Sequence, residues 1–143
     1  MITITEEPID VSNMLLSSKD PSAGATVLFI GSIRDHNDTG KVSEVRYEVY
    51  RKMAERTLSE IEDRVLKRWD VKKFLAIHRI GNLKVNEISV AIAISTEHRQ
   101  DAFEACRYTI DSIKSGVPIW KKEISDAGAI WIDGTLPSIE EGY

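Results

Sequence analysis

Gly24-Ala25-Thr26-Val27-Leu28-Phe29-Ile30-Gly31-Ser32-Ile33-Arg34 is the stretch on which the fold class turns. Ala25 to Ile33 is mostly apolar, the pattern of a strand buried along most of its length. Arg34 to Lys41 is a polar loop containing Asn37, Asp38 and Gly40. Val42 to Tyr50 alternates apolar and polar residues, so it reads as a second strand, expected to pair with the first. Upstream, Ile2-Thr3-Ile4-Thr5 alternates as a short strand. A helix is expected from Pro8 to about Ser17, with Ile9, Met14 and Leu15 inward.

Downstream, Met53, Leu58, Ile61, Val65 and Trp69 form one stripe on a helix from about Arg51 to Trp69. Phe74 to Ile80 and Ile88 to Ser95 are two further strands, joined by a turn over Gly81 to Asn86. A third helix runs from Arg99 to Ser115, with Phe103, Cys106, Ile110 and Ile113 inward and Gly116 as its C-cap. Pro118 to Ile124 and Gly128 to Ile132 are the last strands, and a loose tail is expected past Asp133. Three main helices among strand pairs give an α/β (α+β) fold with a mixed, largely antiparallel sheet. Residues 1–143 read as a single domain, since 143 residues suit one core.

Bulk properties narrow the function. The charge is −4 with a pI near 5.4, which argues against nucleic-acid or membrane-surface binding, since both favour a basic excess. Cys106 is the one cysteine, so no internal disulfide can form. The first residues have no basic segment and no long apolar core, and the apolar runs, such as Val27 to Ile30, are far too short to span a membrane. The expected location is cytoplasmic. His36, His78 and His98 do not pair with each other or with Cys106 at ligand spacing, so no metal site is expected. There is no nucleophile elbow, phosphate-binding loop or dinucleotide fingerprint. Cys106 lies on the apolar stripe of its helix, as a structural thiol would.

Three features carry chemistry, and each also has a plain reading. Thr96-Glu97-His98-Arg99 lies where a strand runs into a helix, and backbone N–H groups at a helix start attract anions. Arg99 could equally be a solvated residue and His98 a cap. Lys114, Lys121 and Lys122 flank Gly116 and Pro118. Nearby like charges favour a neutral, reactive amine, although lysines also complement helix C-termini and protect sheet edges. Gly31-Ser32-Ile33-Arg34 ends a buried strand in an arginine, either a phosphate clamp or a surface residue. Taken together, the three suggest a local anion pocket.

The order and spacing of several segments resemble one family. They are Gly24 to Arg34, Tyr47 to Ala54, His78 to Gly81, Ser95 to Arg99, Ala102 to Cys106, and Asp111 to Lys114 with Pro118-Ile119-Trp120-Lys121-Lys122-Glu123. From about residue 1 to residue 132, the chain is similar to the large, catalytic subunits of molybdopterin synthases.

The resemblance implies an α/β hammerhead fold and a homodimer within a heterotetramer. Each copy would bind a small ubiquitin-like sulfur-carrier subunit with a C-terminal Gly-Gly thiocarboxylate. The implied reaction is sulfur transfer to cyclic pyranopterin monophosphate, building the dithiolene of molybdopterin in molybdenum cofactor biosynthesis, with no cofactor. Lys114 and Lys121 match the family's catalytic lysines. Ser32, Ile33, Arg34, His98, Arg99, Lys114, Lys121, Lys122 and Glu123 match its substrate-binding positions. Asn86 stands where the family usually has glycine, and Asn tolerates the left-handed conformation such a turn needs. The C-terminal Gly142-Tyr143 lacks a Gly-Gly end, so the chain is not expected to be the carrier. The rival from the residues alone is a non-catalytic phospho-metabolite-binding or assembly module.

Overall fold

A computed structural model describes residues 2–125 and 128–132, so the expected tail past Asp133 lies outside the described residues. In chain order the elements are β1 (Ile2–Thr5), α1 (Val11–Ser17), β2 (Ala25–Ser32), β3 (His36–Asn37), β4 (Gly40–Lys41), β5 (Glu44–Val49) and α2 (Arg51–Arg68). Then come β6 (Val71–Arg79), β7 (Gly81–Lys84), β8 (Ile88–Thr96), α3 (Arg99–Gly116), β9 (Ile119–Ser125) and β10 (Gly128–Ile132). The fold is α/β with three helices, as expected. Its strands form two four-stranded sheets, ordered β1-β6-β8-β2 and β10-β9-β5-β7, plus the β3–β4 hairpin. Only the β1–β6 pair is parallel among these described pairings.

The expected pairing of Val42–Tyr50 with the Ala25–Ile33 strand does not occur. Among the described residues β2 pairs only β8 and forms a sheet edge, while β5 lies between β7 and β9 in the second sheet. Alternation shows which residues face inward but not which strand lies alongside. The register of β2 shifts between Gly31 and Ser32. Ile33 then exchanges backbone bonds with Glu87 and Asn86, and the hairpin carries the chain off the first sheet.

The expected turn over Gly81–Asn86 is also partly a strand. Gly81, at φ 90°, moves the chain from the first sheet into β7, where Leu83 is fully buried between exposed neighbours. Only Asn86, at φ 73°, takes the left-handed turn conformation among non-glycine residues described.

The helices bury narrower faces than the periodicity suggested. In α2 the inward stripe is Ala54, Leu58, Ile61 and Val65, so Met53 falls outside it and is half exposed. Trp69 lies just past the helix, donating from its indole to Glu104. In α3 the small residues Ala102 and Ala105 face the sheet with Cys106, Thr109 and Ile113, leaving Phe103 exposed. Gly116 is the last helical residue and is buried; its φ is not positive, and the capping bond runs from Val117 N–H to the Ile113 carbonyl. α1 starts later than Pro8, at an Asp10 cap whose carboxylate accepts from Asn13 N–H at 3.0 Å, and Leu15 points outward.

One large apolar cluster joins α2 and α3 to the two sheets. Side chains such as Leu58, Ile61 and Ile92 are buried in it, each worth about 1.5–3 kcal/mol relative to exposure. The cluster fixes the C-terminal end of α3 against β9. That junction is where the chemistry-bearing side chains gather.

Candidate functional site

A cavity of about 180 Å³ opens at the seam between the two sheets. The end of β2 and the residues after it supply Ser32, Ile33 and Arg34. The last turn of α3 supplies Lys114, and β9 supplies Lys121 and Glu123. Val45 and Tyr47 on β5 lie directly across from Glu123 and Lys121 in the strand register, so these four side chains share one face. Lys122 pairs across from Arg46 and does not line the cavity, because alternation turns it to the opposite face of β9.

The two lysines sit in different surroundings. Lys121 Nζ lies 3.1 Å from Glu123 Oε1, and Glu123 is only 7% exposed. Lys114 is desolvated by burial and repelled by the charge of Lys121, and both effects lower its pKa below the ordinary lysine value. Arg34 and the two lysines give the cavity a cationic lining around one buried carboxylate.

His98 and Arg99 lie elsewhere in the chain. They start α3, whereas Lys114 ends it, and an 18-residue helix is roughly 27 Å long. The strand register agrees, since Ala25 faces Thr96 at one end of β2 and Ser32 faces Ile88 at the other. His98 is exposed, with Nε2 3.6 Å from Glu97 Oε1, and its side chain makes no capping bond. One chain therefore assembles Ser32, Ile33, Arg34, Lys114, Lys121 and Glu123, and leaves His98 and Arg99 at the far end.

His36, Asn37, Tyr47 and His78 also belong to this region, although the sequence gives none of them a site role. Asn37 donates from Nδ2 to Glu123 Oε2 at 2.5 Å. Tyr47 lines the cavity and meets the ring of buried His78 edge-on, with centroids 5.2 Å apart. Burial pushes the His78 pKa down to about 4, and Lys114 adds to the effect. The signal for His78 was its inward place in the alternation of β6, where a histidine needs a partner. Burial also pushes the Cys106 thiol up to about 11, as suits an inert side chain.

These features define a small α/β protein with a cationic cavity suited to anionic small molecules. The chain belongs to the MoaE protein family, whose model matches residues 4–116. It is 36% identical over 135 residues to the molybdopterin synthase catalytic subunit of Pyrococcus abyssi, covering 93% of this chain and 91% of that protein. The molybdopterin synthase crystal structure from Staphylococcus aureus superposes with a TM-score of 0.85 at 38% identity, covering 91% of this chain and 95% of that one. A Helicobacter pylori complex of subunits 1 and 2 of molybdopterin-converting factor shares the fold, with a TM-score of 0.79 at 16% identity over 99% of this chain and 96% of that one.

Proposed function

We propose that this chain is the catalytic subunit of a molybdopterin synthase, working as a single domain in the cytoplasm. It transfers sulfur from the C-terminal thiocarboxylate of a small ubiquitin-like carrier to cyclic pyranopterin monophosphate, forming the molybdopterin dithiolene. The observation that carries this reading is the convergence of Lys114, Lys121 and Arg34 in one cavity. The curated relative named for the same activity supports it.

The chemistry suits such a cavity. A thiocarboxylate and a cyclic phosphate repel each other, and fixed cations bring them together. Arg34 offers a planar fork of donors to phosphate oxygens, beside Ser32 and Ile33. Lys121, held by Glu123, donates to charge that develops on the reacting carbonyl. Lys114, with its lowered pKa, is the amine that gives and takes a proton or holds the acyl end of the carrier. The sulfur arrives on the carrier, so these steps use side chains alone.

His98 and Arg99 fit the same substrate only if a second copy brings them to the cavity. This is the role we assign to the homodimer, with one carrier on each copy of the resulting heterotetramer. The helix start at His98 and the Arg99 side chain would then bind the phosphate from across the interface. Lys122, on the outer face of β9, contributes less.

The test is single-turnover conversion of precursor with excess thiocarboxylated carrier. Product formation by wild type, and its loss in Lys114→Ala, fit the enzyme. A protein that binds precursor without carrier and returns it unchanged is the non-catalytic binding module instead.

A further inference from the structure

The β3–β4 hairpin belongs to neither four-stranded sheet, yet it reaches the cavity through two neighbouring residues. His36 lines the wall, and Asn37 Nδ2 donates to Glu123 Oε2 at 2.5 Å. The other end of the Asn37 amide is also held. Its Oδ1 accepts from the N–H and the hydroxyl of Thr39, both at 2.8 Å. Asn side chains commonly stabilise turns in this way. With Oδ1 committed to two donors, the NH2 group is the end that faces Glu123. A carboxylate can only accept, so the pairing has one chemical sense.

Glu123 Oε1 in turn lies 3.1 Å from Lys121 Nζ. A continuous chain of contacts therefore runs from the Thr39 backbone N–H, which any residue but proline would supply there, through Asn37 and Glu123 to Lys121. Glu123 is almost fully buried in a cavity whose reading requires it to admit anions. A buried carboxylate is costly unless its oxygens are engaged, and here each oxygen has its own partner. Losing the Asn37 contact would free one oxygen and let the carboxylate rotate away from Lys121.

We infer that Asn37 is a positioning residue for sulfur transfer: by holding one oxygen of Glu123 it fixes the other on Lys121. The inference rests on the reading of Lys121 as a reacting group. Asn37 does not itself touch the reacting atoms in this scheme. It acts through Glu123, 86 residues away in sequence.

Asn37→Asp is the sharpest variant. It is nearly isosteric and keeps the acceptor for Thr39, but it places an oxygen against the Glu123 carboxylate. Asn37→Ala removes the donor without adding a charge and serves if the aspartate variant misfolds. Thr39→Ala removes only a hydroxyl contact and leaves the bond to Glu123. Single-turnover rates are measured against precursor concentration with saturating thiocarboxylated carrier, with Lys121→Ala alongside.

The expected result is a saturating rate at least about tenfold lower in Asn37→Asp, since a small misplacement of a reacting group costs up to about a hundredfold. Thr39→Ala stays within about twofold of wild type. When Asn37→Asp is combined with Glu123→Gln, the new amide can donate to the introduced carboxylate, and the rate recovers above that of Asn37→Asp alone. Inactive Lys121→Ala with a near-wild-type rate in both Asn37 variants overturns the inference and leaves the proposed function standing. A change in precursor affinity alone, at unchanged saturating rate, also overturns it, because the hairpin then only shapes the pocket. An active Lys121→Ala overturns the reading of Lys121 itself, and the inference with it.

Discussion

Between pH 7.5 and pH 5, acid should weaken this fold through the buried side chain of His78. The residue is 5% exposed, its Nδ1 lies 2.8 Å from the Arg79 carbonyl, and its ring packs edge-on against Tyr47. A carbonyl only accepts, so Nδ1 carries the proton of the neutral ring and donates it to Arg79. Burial lowers the pKa from 6.5 to about 4, with the Arg79 bond opposing and Lys114 assisting. The folded state thus binds this proton more weakly than the unfolded chain does. The stability linked to it is complete above about pH 6.5 and is lost as the pH falls through 6.5 towards about 4. At about 1.4 kcal/mol per pH unit, the full loss is about 3 kcal/mol, and about 2 kcal/mol of it has occurred by pH 5. With a urea slope of about 2 kcal/mol per molar, the midpoint should fall by about 1 M between pH 7.5 and pH 5 from this residue alone. His78→Phe keeps a ring against Tyr47 and removes the titrating group. Other groups titrate in both proteins, so the difference between their midpoint-against-pH curves isolates His78. If His78→Phe loses as much stability as wild type over that range, His78 is not held neutral by the fold.

Further outcomes follow from the site. The Lys114 amine should be acylated by a small anhydride at a pH below that needed for an ordinary lysine, because burial and Lys121 both disfavour its charge. In Lys121→Met the reactive limb should move to higher pH, and an unmoved limb would remove Lys121 as a cause. Arg99→Ala should weaken precursor binding by about tenfold to a hundredfold, the value of a lost charged hydrogen bond, with carrier docking unchanged in calorimetry. Light scattering should give a homodimer alone and a heterotetramer with the carrier; a monomer in both samples would leave His98 and Arg99 without a role at the cavity. A carrier lacking its last two residues should dock but give no turnover, and complete loss of docking would make the tail the main anchor.

Much of the fold was legible because periodicity reports burial directly. The two long helices and the strands on either side of α3 follow from it. The Ala25–Ser32 strand forms as expected, but it is not buried along most of its length: none of its residues is buried and Ile30 is exposed, because β2 lies at a sheet edge and an apolar run does not show how many neighbours cover it. Partner choice was not legible. Nothing in the alternation of Val42 to Tyr50 says that β5 joins β7 and β9, because a strand's inward face looks the same beside any neighbour. Met53 and Phe103 went astray because a large apolar residue one position off the stripe looks like part of it. In α3 the close contact belongs to Ala102 and Ala105 instead. At the site, Arg34 and Lys114 were visible as cations at element ends, and Lys121 as a cation on the strand that returns from the end of α3. Asn37 was not, since an asparagine in a polar loop gives no sign of a carboxylate 86 residues away. Likewise, the wide separation of His98 and Arg99 from the lysines follows from the direction of α3 in space, which residue types do not encode.

The most direct measurement is single-turnover conversion of cyclic pyranopterin monophosphate by wild type, Lys114→Ala, Lys114→Arg, Lys121→Ala and Lys122→Ala, each with excess thiocarboxylated carrier. Wild type should form the dithiolene product. Lys114→Ala and Lys121→Ala should each be at least about a hundredfold slower, the lower range for a lost acid/base group, and Lys122→Ala much less affected. Lys114→Arg should stay slow, because arginine keeps the charge but does not give up its proton. A near-wild-type rate in Lys114→Arg would contradict the acid/base role of Lys114, and wild-type protein that binds precursor and carrier without forming product would contradict catalysis itself.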